Sequence, residues 1–524
     1  MLRRLFTFAI SGSFVFSLYA AAQGCDKSNN CYIRSSAGGS GTGADWTNAY
    51  TGIGLGKGQI DPSAMSRGTT YWIAAGDYGS PHFSTPDNGT LTITVEAATN
   101  GNSGPATDWK RTYAGVAGFG ADTAVTTDYW TFNGQAWPSP CSGLPACGVT
   151  GFTLYFHNTT DGSASGASLS VTGSDVRVQY AEIEGINDGS SDDVGINTNC
   201  SANLVNNFYL GYSYIHDVGV DLFAGQYFCG ANNYTGSNYI FEHNMFAHNH
   251  RGDVHQHAQA IATGAQNLVV RYNTFYDIGS SGVVTDPFAG FPTLSNWYVY
   301  ANTVYWDKSF TAGIGDGLVG LFGETFSGNL YIVNNTMANI NSPACAASGF
   351  ACNSFALFVC DSTSSCGLNN TCGTSSDCGN PIVVVANNLW YDPSAAQGVY
   401  QSGRNIAWNP TTNDFNQAYC PSSGCSYGGS FTAQGSHDLQ SNTGNPFVNF
   451  DGQSNFNVSL LGHTSAGTPA YISSPQGCTA NLNCIGTDPL GVARGTGGVW
   501  DRGAFQVSGI PSPNPPASLS AIVQ

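Results

Sequence analysis

The sequence predicts an all-β solenoid, a coil of about three short parallel strands per turn, and three observations predict it. The first is an internal repeat. Apolar alternations ending in asparagine recur as YIFEHNMF, LVVRYNTF, WYVYANTV, LYIVNNTM and IVVVANNL, with Asn244, Asn273, Asn302, Asn335 and Asn387 in the matching slot. VRVQYAEI and FYLGYSYI fit the same frame with Ala181 and Ser213, so successive slots lie 32, 31, 29, 29, 33 and 52 residues apart. The second is the period within each unit, two residues, which is the strand pattern and not the helical one. The third is composition: charged residues are only 9% of the chain and glycines number 67, the makeup of a β-rich extracellular protein. Leucine-rich repeats would show their consensus leucines, and propeller blades need four strands in roughly 40 residues. Strands of successive coils would pair in parallel about 4.8 Å apart. Asparagines stacked at that spacing would bond along the axis and satisfy buried backbone groups.

Taken in order, residues 1–22 read as a secretory signal peptide: two arginines, an apolar run from Leu5 to Leu18, then Ala20, Ala21 and Ala22. The run is short for a membrane span. Residues 23–167 are expected to form an N-terminal cap and the first coils. In them GADWTNAYTGI offers a short segment that could be helical and close the open end, and RGTTYWIAAGDYGSP and GTLTITVEAAT read as strands closed by Gly or Asn turns. Residues 168–392 hold the regular repeats, interrupted by a cysteine-rich insertion at 341–380 that accounts for the 52-residue spacing. Each repeat carries a further strand after its asparagine, as in GVDLFAG, QAIATG, SGVVTD, DGLVGLFG, SFALFVC and GVYQSG. Residues 393–507 supply C-terminal coils and loops, and the Pro- and Ser-rich stretch 508–524 reads as a disordered tail.

Sixteen cysteines agree with export to an oxidising compartment, extracellular or periplasmic. Five sequence pairs are separated by six residues (25/31, 141/147, 360/366, 372/378 and 478/484), which suggests disulfide-stapled loops. Cys200 and Cys229 are 29 apart, one repeat, so stacking would bring them near bridging distance. No CxxC spacing occurs, which disfavours zinc. The net charge of −18 with 15 Lys and Arg argues against a nucleic-acid partner, because phosphate binding needs a cationic stripe on the protein. An acidic polysaccharide would have to be neutralised by a few focused basic residues or by a bound cation, Ca2+ among the options. A monomer is expected.

With these residues in view, the chain resembles the secreted, right-handed, single-stranded parallel β-helix proteins of the pectate- and alginate-lyase kind. The asparagine repeat carries the resemblance, together with GADWTNAYTGI…RGTTYWIAAGDYG. So does the ending NPFVNFDGQSNFNV…DRGAFQ, where Asp501, Gly503, Ala504 and Phe505 match the segment that closes such helices. The resemblance implies the fold and a groove along the axis that suits an extended glycan. It does not fix the reaction, because lyases, hydrolases, epimerases and adhesins share the scaffold.

The densest polar constellation is His248-Asn-His250-Arg251-Gly-Asp253-Val-His255-Gln256-His257-Ala-Gln259. Alternation puts His255, His257 and Gln259 on one strand face. Flanking coils offer Asp192, Asp193, Asp217, Asp221, Asp286, Asp307, Lys308 and Asp316. For β-elimination, Arg251 or a cation would neutralise a uronate carboxylate, and His257 or His255 would take the adjacent proton, with Asp253 and Asp221 completing the catalytic set. His250, Gln259, Lys308 and Asp193 would bind substrate. As a hydrolase, Asp221 and Asp253 would be acid and base; the Gly-His-Gly of the polygalacturonase-like enzymes of this fold is absent. A polysaccharide lyase is thus expected, against a glycoside hydrolase or a glycan-binding adhesion protein. Tyr272, Tyr276, Trp297, Tyr298, Tyr305 and Trp306 are aromatic rows able to stack on sugars or to pack the coil.

Overall fold

The computed structural model describes residues 25–135, 151–158, 166–186, 193–198, 204–225, 236–249, 259–279, 281–285, 294–305, 317–321, 326–338, 357–359, 382–391, 398–402, 413–419, 426–429, 435–441, 444–451, 455–467 and 485–507. Among these, three long sheets hold 12, 8 and 12 strands, and successive strands of each sheet come from successive turns of the chain. Every pairing within them is parallel, as from Val176–Gln179 to Tyr209–Gly211 and on to Ile240–Glu242. The chain is therefore a parallel β-helix. The first sheet begins at Asn30–Ile33, well before the regular repeat becomes visible in the sequence.

Period-two alternation builds the core. In the first sheet Val178, Leu210, Phe241, Val270, Val299, Ile332 and Val385 stand in register and are buried. In the third sheet Phe156, Ile183, Ile215, Phe246, Phe275, Val304, Met337 and Trp390 do the same. Like side chains stack at one coil spacing in the interior, and the intervening residues face outward. Trp297 is wholly buried, its indole N–H donating to the Ala265 carbonyl at 2.8 Å, so it belongs to the core and not to a sugar-binding row.

Between the first and third sheets runs the buried asparagine file. The backbone N and Nδ2 of Asn244 both donate to Asn273 Oδ1 (2.9 and 3.1 Å), those of Asn273 to Asn302 (3.0 and 3.1 Å), and those of Asn302 to Asn335 (2.9 and 3.1 Å). Each Nδ2 also caps a carbonyl of the preceding coil, such as Val270 for Asn302 at 2.9 Å. The expected next rung, Asn387, is corrected by one residue. Asn335 donates to Asn388 (2.9 and 3.0 Å), and Asn388 donates to Asn416. Asn387 instead occupies the left-handed position (φ 57°) that precedes the rung in every coil, as His243, Tyr272, Ala301 and Asn334 do. The file ends on Asp438, which accepts from Asn416 at 2.7 Å; a terminal rung needs only acceptors. Upstream, Ser213 takes the slot and its Oγ accepts the Ala181 N–H at 3.1 Å.

A second, exposed ladder joins Asp175, Asn207, Asn238, Asn267 and Asn296, each Nδ2 donating to the side chain one coil earlier at 2.9–3.1 Å. The four asparagines and Asp175 adopt φ of 54–63°, the left-handed region that Asn and Asp tolerate best. Cys25 and Cys31 form a disulfide; the other expected cysteine pairs lie outside the described residues. The N-terminal segment is not helical: residues 41–48 are bends, with Trp46 buried and its backbone N–H held by Asp108 Oδ1 at 3.2 Å.

On the outer face of the first sheet, burial raises the Glu96 carboxyl to about 7, against two contacts from Asn133 Nδ2 at 2.9 Å. The folded value lies above the unfolded one. Ionised Glu96 therefore costs native stability as pH rises from about 4.5 through 7, and the cost is constant above that. Glu96→Gln is expected to raise the unfolding free energy at pH 8 by about 1–2 kcal/mol after solvent screening. At pH 4 it should change little, which paired urea titrations at the two pH values would check.

Candidate functional site

The site lies on the outer face of the third sheet. Its strands are β1 (Leu154–His157), β2 (Ala181–Glu184), β3 (Tyr214–Val218), β4 (Met245–Asn249), β5 (Thr274–Ile278) and β6 (Thr303–Tyr305). β1 and β2 begin in the slot and β3–β6 directly after it, so the slot fixes which side chains point outward. Tyr155, Glu182 and Tyr214 share one register, and His157, Glu184 and His216 share the next but one. One residue further on, β3, β4 and β5 each turn through the left-handed region at Asp217 (φ 53°), His248 (φ 54°) and Asp277 (φ 47°). Like the residue before each asparagine rung, these three mark a corner of the coil, and they fix where the strand's outward face ends.

His216 is the centre. Its Nδ1 lies 2.7 Å from Asp217 Oδ2 and its Nε2 3.3 Å from Glu182 Oε1, while Tyr214 stacks on the ring at 3.9 Å. Burial works against the imidazolium, but the hydrogen bonds to Asp217 and Glu182 outweigh it and lift the pKa to about 9. Burial likewise disfavours ionised Asp217, yet His216 and His248 hold its carboxyl well below the usual carboxylate range. His248 bridges coils: Nδ1 is 3.6 Å from Asp217 Oδ1 and Nε2 3.9 Å from Asp277 Oδ2, with its side chain one-third exposed. Glu184 is raised by burial, accepts the Tyr155 hydroxyl, and stands beside His216. Two neighbouring carboxyls are thus pushed in opposite directions, the arrangement that separates a proton donor from an ionised partner.

Glu184, His216 and Asp217 each present a donor atom, all within 4.8 Å of one another. Carboxylates outnumber the imidazolium here, which suits a divalent cation. The nitrogen donor fits a transition-metal ion better than Ca2+, whose ligands are oxygens, and loading it would displace the His216 proton.

Several residues singled out in the sequence take other places. Asp193, Asp221 and Gln259 lie inside the coil at 1%, 0% and 3% exposure. Asp193 accepts the N–H groups of Gly219 (2.8 Å) and Ile186 (2.6 Å), and Asp221 that of Gln259 (3.0 Å). These carboxylates and the Gln259 amide shape the coil corner and have no access to a polymer, which corrects Asp221 as a catalytic group and Asp193 and Gln259 as substrate-binding ones. His250, Arg251, Asp253, His255, His257 and Lys308 lie outside the described residues. Tyr272 sits in a surface stack with His243, ring centroids 4.8 Å apart, and Tyr276 and Tyr305 pack against Phe456 of the antiparallel pair Phe447–Phe450 and Phe456–Leu460. Glu182, Glu184 and His216 were not singled out in the sequence. The signal was there: counting one, three and four residues past each slot gives Glu182, Glu184, His216, Asp217, His248 and Asp277.

No protein-family model and no curated protein matches the chain. Among solved structures it is similar to the pectate lyase Pel9A, with a TM-score of 0.43 and 13% identity over 91% of this chain and 96% of that one. It is also similar to an arginine-to-alanine mutant of the PL6 family alginate lyase AlyGC, with a TM-score of 0.30 and 13% identity over 81% of this chain and 56% of that one. The fold assignment rests on the parallel sheets themselves, and neither likeness bears on this chain's activity.

Proposed function

We propose that the protein is a secreted polysaccharide lyase that cleaves a uronic-acid polymer by β-elimination on the outer face of β2–β4. The observation that carries this is the Asp217–His248–Asp277 file beside Glu184 and His216: a part-exposed imidazole held between two carboxylates, next to a donor set for a cation. His248 would take the proton on the carbon next to the uronate carboxylate. The electron pair left behind forms the carbon–carbon double bond, the glycosidic C–O bond breaks, and the leaving oxygen gains a proton from water. A cation on Glu184, His216 and Asp217 would supply the positive charge that offsets the uronate carboxylate. Residues 250–258 continue the chain directly from β4, and we include their Arg251, His255 and His257 as further charge and proton-transfer groups of the same site. Asp253 and His250 belong to that segment too, and Lys308 is kept as a substrate-binding residue.

The opposed shifts of Glu184 and Asp217 favour a second reading, glycoside hydrolysis with Glu184 as acid and Asp217 as its ionised partner. One assay separates the two. The mature protein is incubated with polygalacturonate, alginate and neutral polysaccharides, with and without chelator. Absorbance growing near roughly 235 nm, from the unsaturated uronide of an elimination, is the expected result. New reducing ends without it would establish hydrolysis, and no turnover on any polymer would leave a glycan-binding protein.

A further inference from the structure

In the regular repeats a single left-handed residue turns the corner between the first and third sheets, as at Tyr180, Tyr212, His243 and Tyr272. One early coil departs from this. Between Ile93–Ala97 of the first sheet and Ala117–Phe119 of the third, the chain makes the same crossing through residues 98–116. Trp109 and Tyr113 of this segment pack against the buried cluster of Tyr32, Trp46 and Trp72. The two rings meet edge to face at 5.6 Å, and Trp109 meets Trp46 in the same way at 4.6 Å. The Trp109 indole N–H donates to Asn100 Oδ1 at 3.2 Å, and the Arg34 guanidinium lies 4.3 Å from the Tyr113 ring centroid. Both rings are thus fixed in orientation while remaining part-exposed.

Lys110 and Arg111 stand between them in sequence, both exposed. Beyond residue 22 they are the chain's only adjacent pair of basic residues. Among the described residues neither forms an ion pair, whereas Arg67 pairs with Asp87 and Arg271 with Glu242. Asp108, next to them in sequence, is spent elsewhere: it accepts the N–H groups of Trp46 and Thr47 and the Thr47 hydroxyl. Two oriented aromatic rings beside two unpaired cations suit a polymer that carries apolar ring faces and carboxylates together.

We infer that residues 109–113 form a second binding surface for a polyuronate, apart from the face that carries His216; this rests on the polysaccharide reading above. Sugar faces stack on Trp109 and Tyr113, and Lys110 and Arg111 pair with uronate carboxylates. A phosphate polymer is disfavoured, because two cations are too few to hold one at physiological salt. A long chain held here has its other segments at raised local concentration near His216.

The inference is tested by titration calorimetry at low temperature and low salt, with polygalacturonate and alginate as probes. Lys110→Glu combined with Arg111→Glu is expected to weaken binding by about tenfold or more, with an unchanged urea midpoint because both side chains are exposed. Trp109→Ala, which keeps the charges, should also weaken it. The control is Lys27→Glu combined with Lys57→Glu, the same charge change at other exposed lysines, and it should stay within about twofold of wild type. Wild-type affinity in the Lys110/Arg111 variant, or an equal loss in the control, would overturn the second surface and leave the lyase reading standing. Failure of the wild-type protein to bind either polymer would overturn both.

Discussion

Asn302→Ala is expected to lower the unfolding free energy by about 3–5 kcal/mol, because it leaves buried polar groups without partners. Asn302 Oδ1 accepts both the backbone N and the Nδ2 of Asn273, and its own Nδ2 caps the Val270 carbonyl. Truncation leaves the Asn273 N–H and the Val270 C=O unmade at the centre of the stack, each costing about 1–3 kcal/mol. Asn302→Asp should fail nearly as badly. It restores the acceptor but has no donor for Val270, and it brings a carboxylate to Asn335 Oδ1. Asn296→Gly is the control: it breaks a bond at 3.0 Å in the exposed ladder at a left-handed position (φ 57°) that glycine adopts freely, and should cost under about 1 kcal/mol. Urea midpoints of the three variants would check the order.

Asp217→Asn is expected to reduce kcat/KM on the polymer that the substrate panel identifies by about 10²–10⁴-fold, the usual worth of a positioned proton-transfer group. Asp217 serves both imidazoles. It is the 2.7 Å partner of His216 and the nearer carboxylate of His248. The amide keeps the size and also tolerates the left-handed backbone at φ 53°, so the strand end should keep its shape. What is lost is the charge that holds the His216 proton and orients His248 for proton transfer. His216 should then titrate lower, since the Asp217 hydrogen bond leads the influences that raise it. A drop in activity accompanied by a lower His216 pKa, read by NMR, separates a chemical role from simple unfolding.

The fold was legible because its signal repeats. One asparagine slot, seen five times, was enough to set the coil length, and the period-two pattern identified the strands. The slip at Asn387 came from IVVVANNL, where two asparagines stand side by side and the string offers no reason to prefer the second. Backbone conformation supplies the reason: the residue before each rung is left-handed, and Asn387 is that residue. The site was half legible. Two of its members, Asp217 and His248, were among the residues the sequence offered, but attention went to the run of histidines after β4. A dense run is conspicuous in one dimension, whereas Glu184 and His216 are 32 residues apart and meet only through register. Asp193 and Asp221 illustrate the opposite error. Their charge suggested a groove, yet each points inward to hold backbone N–H groups at a coil corner. Charge type alone does not reveal direction when the corner interrupts the strand alternation.

The most direct test of the site is a crystal structure of the protein with a bound unsaturated oligouronide. The sugar is predicted to lie on β2–β4, with a ring within hydrogen-bond reach of His248 and its carboxylate turned toward Glu184, His216 and Asp217. Sugar bound on another face, with His216 and His248 untouched, would contradict it.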